Sequence, residues 1–191
     1  GILYTIKELL LHPVQMLREY LAGKRVNYFK PFGFVFILSA VYVFLVHWLD
    51  VRIEYEMIPT YGKGEVADIN TTMMGWIYKY YALSLILALP FYALANFLVF
   101  RKSGYNYLEH FIILLYIMGM GIFFQIIACV AYYFFPYYWV LYIILGLSSI
   151  YYIGVLILLF KKSSWIKTLI KVIWSAVLFL LIVFIICIVI I

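Results

Sequence analysis

Long apolar runs alternate with short charged stretches along the chain. Runs of about twenty apolar residues, long enough to cross a bilayer as α-helices, occur at about 31–48, 73–100, 107–135, 137–160 and 166–191. Pro90 interrupts the second run near its centre. Pro136 separates the third and fourth runs with almost no polar residue nearby, so these two are expected to form a tight hairpin. The pattern predicts an all-α membrane protein with about five transmembrane helices.

The first thirty residues follow a different pattern. Between residues 3 and 22 the charged and polar positions recur at spacings of 7 and 11, which places them on one side of a helix: Lys7, Glu8, Gln15, Arg18 and Glu19. The other side is apolar. Such a helix lies in the headgroup plane; the alternative is a helix packed on the ends of the spans. Pro13 is expected to kink or divide it. We therefore divide the chain into an amphipathic interfacial helix with a basic turn, residues 1–30, and a transmembrane bundle, residues 31–191.

The longest polar stretch lies between the first two apolar runs, at residues 49–72. Apolar and charged residues alternate at 51–57, which weakly favours a short strand. The stretch carries five acidic residues: Asp50, Glu54, Glu56, Glu65 and Asp68. We interpret it as an extracytoplasmic loop. As an interaction surface, it would prefer a basic or metal-bearing partner.

Composition supports the membrane interpretation. The hydrophobic fraction is 69%, the charged fraction only 12% and the mean hydropathy +1.10, far from the values of soluble domains. The net charge is +6. Its bases lie beside apolar runs, where they meet anionic headgroups, so nucleic acid is not an expected partner.

The distribution of basic residues predicts the orientation. Eleven of the 14 Lys and Arg residues lie before the first span, between the second and third, or from the end of the fourth span to the first two turns of the fifth, where Lys167 and Lys171 are counted. These segments share one side of the membrane. The positive-inside rule therefore predicts a cytoplasmic N-terminus and a C-terminus outside. The residues expected to bind anionic headgroups on the cytoplasmic side are Lys24, Arg25, Arg101, Lys102, Lys161 and Lys162.

Polar residues at membrane depth are the candidate sites, because each costs free energy unless it is paired. Glu109 and His110 open the third span, although neighbouring helical residues point about 100° apart; Glu109 alternatively stabilises the first helical turn. Lys79 either has a function or extends to the outer headgroups. Asn96 and Gln125 are expected to form interhelical hydrogen bonds, and Gln125 belongs to a small, polar stripe with Gly121 and Cys129 that packs helices or lines a pathway.

No motif of catalysis, cofactor binding or metal binding stands out. The sequence contains no metalloprotease helix, phosphate loop, nucleophile elbow or dinucleotide fingerprint. The two cysteines, Cys129 and Cys187, fall inside expected spans and cannot form a metal site alone. We therefore expect neither enzymatic activity nor a cofactor.

Two patches resemble a family of uncharacterised bacterial multi-spanning membrane proteins. They are residues 12–31, HPVQMLREYLAGKRVNYFKP, and residues 105–110, YNYLEH. In that family a four-cysteine zinc ribbon often comes first; none is present here, so no zinc is inferred. The resemblance implies a multi-pass protein of the bacterial inner membrane with its N-terminus inside, and it supplies no activity.

Three functions remain open at this point. The first is a non-enzymatic membrane subunit or scaffold that packs against other membrane proteins or lipids. The alternative is a small-solute or ion transporter or channel, in which Gln125, Asn96 and Pro90 converge on a hydrated cavity. A lipid-modifying enzyme would require Glu109 and His110 to meet Lys24, Arg25 or Arg101 around a phosphate-sized pocket.

Overall fold

The computed structural model of the protein describes residues 1–49, 81–161 and 164–190. These ranges contain seven α-helices, a short 3₁₀ helix and no strand, which confirms the expected all-α fold. The acidic loop after Leu49 and the first part of the second run lie outside the described residues. The helices are α1 (Ile2–Leu11), α2 (Pro13–Leu21), α3 (Pro31–Trp48), α4 (Tyr81–Val99), α5 (Tyr107–Phe134), α6 (Tyr138–Phe160) and α7 (Trp165–Ile190).

Several helices are suited to a bilayer by length and composition. Four described segments are long and apolar enough to cross one: Pro31–Trp48, Tyr107–Phe134, Tyr138–Phe160 and Trp165–Ile186. The apolar part of α4 is shorter, Ile86–Val99. The starts and ends of α3, α5, α6 and α7 lie within about one residue of the run limits read from hydropathy.

Helix α5 is the centre of the bundle. It packs against α3, α4 and α6, while α7 completes the bundle against α4 and α6. Half of the α5 span is buried inside the chain, whereas only 11% of the α7 span is buried. The rings of Phe100 and Phe160 stack with centroids 4.4 Å apart and so join the ends of α4 and α6. We call this side of the bundle, residues 100–107, 160–161 and 164–171, the basic end.

A glycine sets the distance between α3 and α5. An ideal Cβ placed on Gly119 would lie 2.5 Å from two carbons of the Phe34 ring. Phe34 is fully buried, and its ring also lies 5.9 Å from that of Tyr116 on the same side of α5. Small residues allow such close backbone approach in membrane bundles. The α3–α5 contact therefore requires glycine at this position.

Helices α1 and α2, with the basic turn that follows, form a cap, residues 1–30, on the bundle. Pro13 divides the helix as expected, because α2 begins at this residue. The Thr5 hydroxyl accepts the Phe29 N–H at 2.8 Å, and the Phe29 carbonyl accepts the Tyr116 hydroxyl at 2.6 Å. The Tyr151 hydroxyl donates to the Leu9 carbonyl at 2.8 Å. Side-chain hydroxyls thus fix the cap to α5 and α6.

The apolar side of the cap faces the bundle. Leu9, Met16, Leu17 and Tyr20 belong to the same buried cluster as the core of α5. The alternative of a helix packed on the bundle therefore describes α1 and α2. A second apolar strip on α1 remains exposed and is suited to the headgroup region of a bilayer: Leu3, Leu10 and Leu11.

We predict that Gly119→Ala destabilises the protein. The added methyl group must displace the Phe34 ring, and overpacking of this kind costs about 1–3 kcal/mol. The measurement is chemical or thermal unfolding of the detergent-solubilised chain.

Gly146→Ala on α6 is the matched control, because a Cβ there meets nothing within 4 Å. This control should unfold like the wild type or slightly later. Adding Phe34→Leu to Gly119→Ala should restore part of the loss. Equal stability of Gly119→Ala and Gly146→Ala would show that the α3–α5 distance does not depend on Gly119.

Candidate functional site

The chain reverses direction at the basic end within seven residues. A 3₁₀ helix, Arg101–Ser103, follows α4, and Gly104 takes a left-handed conformation with φ 93°. Asn106 then begins α5 through a capping box: its side chain accepts the Glu109 N–H at 2.9 Å, and Glu109 accepts the Asn106 N–H at 2.7 Å. These bonds satisfy donors that a helix start leaves free.

Glu109 and His110 lie in different surroundings. The Glu109 carboxylate belongs to the capping box, in agreement with the interpretation that it stabilises the first helical turn. His110, the next residue, is fully buried. The described residues contain no group of three or more His, Cys, Asp or Glu side chains placed to hold a metal ion. The structure therefore does not bring this pair to one ligand.

Three aromatic rings surround His110. Its ring stacks on Phe160 with centroids 5.1 Å apart and 14° between the planes, and the rings of Phe97 and Tyr105 meet it edge-on. Nε2 lies 3.4 Å from the Ser103 hydroxyl oxygen. Nδ1 is buried and has no hydrogen-bond partner among the described residues. The single polar contact of His110 thus leads to Ser103 at the surface of the bundle.

Ser103 lines an open cavity of about 130 Å³ at the basic end. Phe100 and Phe160 form its apolar part, and Lys102 comes from the 3₁₀ helix. The first two turns of α7 complete it with Lys167, Thr168 and Lys171, next to Ser164. The Lys171 ammonium lies 6.0 Å from the Phe100 ring centroid, within the range of a cation–π contact. We call this cavity the lysine cleft.

The two amides expected to bond between helices, Asn96 and Gln125, do not contact each other. Asn96 is fully buried, and neither of its amide atoms has a hydrogen-bond partner among the described residues. It precedes Phe97, which contacts His110 at the start of α5. Gln125 is half-buried about 22 Å further along α5, at 1.5 Å per residue. The expected bond to Asn96 is absent because the two residues lie at different depths of the bundle.

The expected headgroup-binding residues fall on two surfaces. Lys24 and Arg25 are exposed on the cap, where the Arg25 guanidinium lies 5.4 Å from the Tyr20 ring centroid. Arg101, Lys102 and Lys161 are exposed at the basic end. Lys79 and Lys162 lie outside the described residues.

Most residues of the lysine cleft are not indicated by the sequence pattern. Lys167 and Lys171 contribute only to the predicted orientation, and no pattern marks Ser103 or Thr168. The available signal was the four-residue spacing of the two lysines, which puts them on one face of a helix. Only folding brings that face to Phe100 and Ser103.

Hydrogen bonds hold a carboxylate in the cap. The Glu19 carboxylate accepts a bond from the Gln15 amide and one from the Tyr28 hydroxyl, both at 3.0 Å. These bonds, with a smaller effect of the Lys24 charge, hold the pKa of Glu19 below its ordinary value of 4.5, against the opposing effect of partial burial. Burial, together with Glu19, raises the pKa of the Tyr28 hydroxyl to about 12. The ionised Glu19 therefore joins α2 to the turn that leads into α3.

Comparison with known proteins gives one match, and it falls on the cap. The model of a family described as Protein of unknown function (DUF3667) matches residues 1–43, which comprise the cap and most of α3. No curated protein and no solved structure matches the chain. The match supports the resemblance of residues 12–31 to an uncharacterised family. It does not extend to residues 105–110.

We predict that acid weakens the cap through Glu19. Its pKa is lower in the folded protein than in the unfolded chain, so its contribution to stability is complete above about pH 4.5 and is lost as the pH falls through the folded value. The unfolding temperature of the wild type should therefore drop more steeply between about pH 5 and pH 3 than that of Glu19→Gln.

Tyr28→Phe removes one of the two bonds and should give an intermediate slope. Parallel curves for the wild type and Glu19→Gln would contradict the role of the ionised carboxylate.

Proposed function

We propose that the protein is a non-enzymatic integral membrane subunit or scaffold that packs against other membrane proteins or lipids. The observation that carries this proposal is the incomplete cover of α7. Only 11% of its span is buried by the rest of the chain, against half of the α5 span. The remaining apolar surface needs either lipid or another helix.

The exposed face of α7 has the spacing of a helix-packing surface. Its apolar residues recur at alternating intervals of four and three: Ile166, Ile170, Ile173, Val177, Leu180 and Phe184. This period matches the seam of left-handed helix pairs, the prevailing geometry in membrane bundles. In this proposal a partner helix lies along this face of α7.

The basic end supports the absence of enzymatic activity in this proposal. The hypothesis of a lipid-modifying enzyme requires Glu109 and His110 to act together. The carboxylate instead caps α5, and the imidazole is enclosed by rings. These surroundings support a non-catalytic role for both residues in the described part of the chain.

The transport alternative gains no support from the positions of its residues. The Pro90 carbonyl accepts the Tyr107 hydroxyl at 3.1 Å, and Asn96 lies near the same first turns of α5. Gln125 is about 27 Å beyond Tyr107 along the helix. These residues do not converge.

In this proposal the protein lies in the bacterial inner membrane with the cap in the cytoplasm and the C-terminus outside. The concentration of eleven of the 14 Lys and Arg residues in three segments supports this orientation. The exposed leucines of the cap, with Lys24 and Arg25, would lie among anionic headgroups.

The orientation can be tested at Val26, which is 98% exposed in the basic turn. Val26→Cys, in a chain with Cys129→Ala and Cys187→Ala, should react with a membrane-impermeant maleimide in inside-out vesicles only. The cysteine would then be accessible from the cytoplasmic side. Labelling of intact spheroplasts would reverse the orientation.

The subunit proposal predicts a stoichiometric partner after gentle detergent extraction from native membranes, identified by mass spectrometry of the material that co-migrates with this chain. Ile173→Ala with Leu180→Ala should release the partner, because the pair removes buried contact area from the α7 face.

Ile150→Ala with Leu158→Ala on α6 is the matched control, since these residues are also exposed. The α6 variant should retain the partner. A monomer or homo-oligomer without any co-migrating protein would overturn the subunit proposal.

A further inference from the structure

We propose that the lysine cleft is a binding site for a phosphate group, carried either by an anionic phospholipid or by a small soluble phosphate. The cleft is lined by Phe100 and the 3₁₀ helix, by the end of α6 and by the start of α7, and it includes no residue of the cap. It is separate from the exposed face of α7 and independent of the proposal that the chain is a subunit.

Charge is the first argument. Three lysines line the cleft, from two elements far apart in sequence, and none of the described residues that line it is acidic. Lys167 and Lys171 are one helical turn apart, an arrangement in which like charges repel by a few tenths of a kcal/mol. An anion between these ammonium groups replaces the repulsion by attraction.

The helix start is the second argument. Lys167 lies in the first turn of α7, where the helix dipole disfavours a cation and favours an anion. Thr168 donates its hydroxyl to the Ser164 carbonyl at 3.0 Å and is almost fully buried. The first turn is therefore fixed, while Lys167 in it and Lys171 one turn later stay exposed at the cleft. Free backbone N–H groups at such a turn are suitable donors to phosphate.

The buried imidazole is the third argument. Ser103 accepts the Tyr105 N–H at 3.3 Å, and its oxygen lies 3.4 Å from His110 Nε2. When the His110 ring proton is on Nε2, the Ser103 oxygen accepts two hydrogen bonds, one from His110 and one from the Tyr105 N–H. The hydroxyl proton of Ser103 can then be donated to a ligand in the cleft. His110 acts here as a positioning residue for Ser103. This role of His110 explains why an imidazole is enclosed by the rings of Phe160, Phe97 and Tyr105.

The shape of the cleft suits a phosphate ester. A cavity of about 130 Å³ accommodates a phosphate and the first atoms of its substituent. The stacked rings of Phe100 and Phe160 offer an apolar surface to that substituent. The combination of lysines and hydroxyls with aromatic carbon gives the cleft the polarity of the boundary between headgroups and acyl chains.

The test uses the full chain in nanodiscs of neutral phosphatidylcholine. Three probes are titrated: dioctanoyl phosphatidic acid, glycerol phosphate and inorganic phosphate. We expect saturable binding of at least one of them. Lys167→Gln with Lys171→Gln should weaken it about tenfold or more, because two charged donors are lost. Ser103→Ala should weaken it by a smaller factor.

Lys7→Gln with Arg18→Gln is the matched control, since it removes the same charge from exposed cap residues that are not among those expected to bind headgroups. The control should change the affinity less than about twofold. All four substituted side chains are exposed, so the variants should fold; unfolding temperatures verify this. Binding of phosphatidic acid alone would identify a lipid, and equal binding of all three probes would identify the phosphate itself.

Three outcomes would overturn the proposal: no saturable binding, unchanged affinity in the cleft variant, or equal losses in the cleft and cap variants. Equal losses would indicate a general effect of positive charge. None of these outcomes bears on the co-migration experiment, so failure of the phosphate site and failure of the subunit proposal are distinguishable.

Discussion

The contact between Phe34 and the backbone of α5 at Gly119 determines how the bundle is assembled. It allows α3 to lie close to α5, and α5 is the helix against which α4 and α6 also pack. In lipid the hydrophobic effect does not hold helices together, so close backbone approach and hydrogen bonds must do so. The same side of α5 presents Tyr116 to Phe29. Helix packing and the docking of the cap therefore depend on one face of one helix.

Much of the helical architecture could be predicted from local patterns. Apolar runs bounded by charged residues gave the limits of α3, α5, α6 and α7, and the proline at residue 13 gave the division between α1 and α2. These signals work because a helix in lipid must satisfy its own backbone, so length and hydropathy are sufficient. The docking of the cap was harder to foresee. An apolar helix face suits a headgroup layer and a helix bundle equally well. The folded structure distinguishes the two by the burial of this face against α5 and by the Tyr116 and Tyr151 hydroxyls.

The site was less predictable because it is built from distant segments. Glu109 was readable as a first-turn residue from its position at the start of an apolar run, and its capping partner Asn106 lies only three positions away. The surroundings of His110 come from α4, α6 and the segment before α5. Asn96 and Gln125 were paired by residue type, although depth along the helices separates them. Gly119 and Gly121 are equally small, yet only Gly119 meets the Phe34 ring; the nearest atom to a Cβ on Gly121 is the Ser148 hydroxyl oxygen at 3.9 Å.

The two tyrosines that fix the cap bind main-chain carbonyls, those of Leu9 and Phe29. Every residue has a main-chain carbonyl, so neither hydrogen bond depends on the type of amino acid at its acceptor position in the cap. What the bonds do require is the right spacing along the chain between residues 9 and 29. Exposed side chains of this N-terminal segment can thus be exchanged without loss of these two bonds, whereas an inserted or deleted residue between the two anchor points changes the spacing that both bonds require.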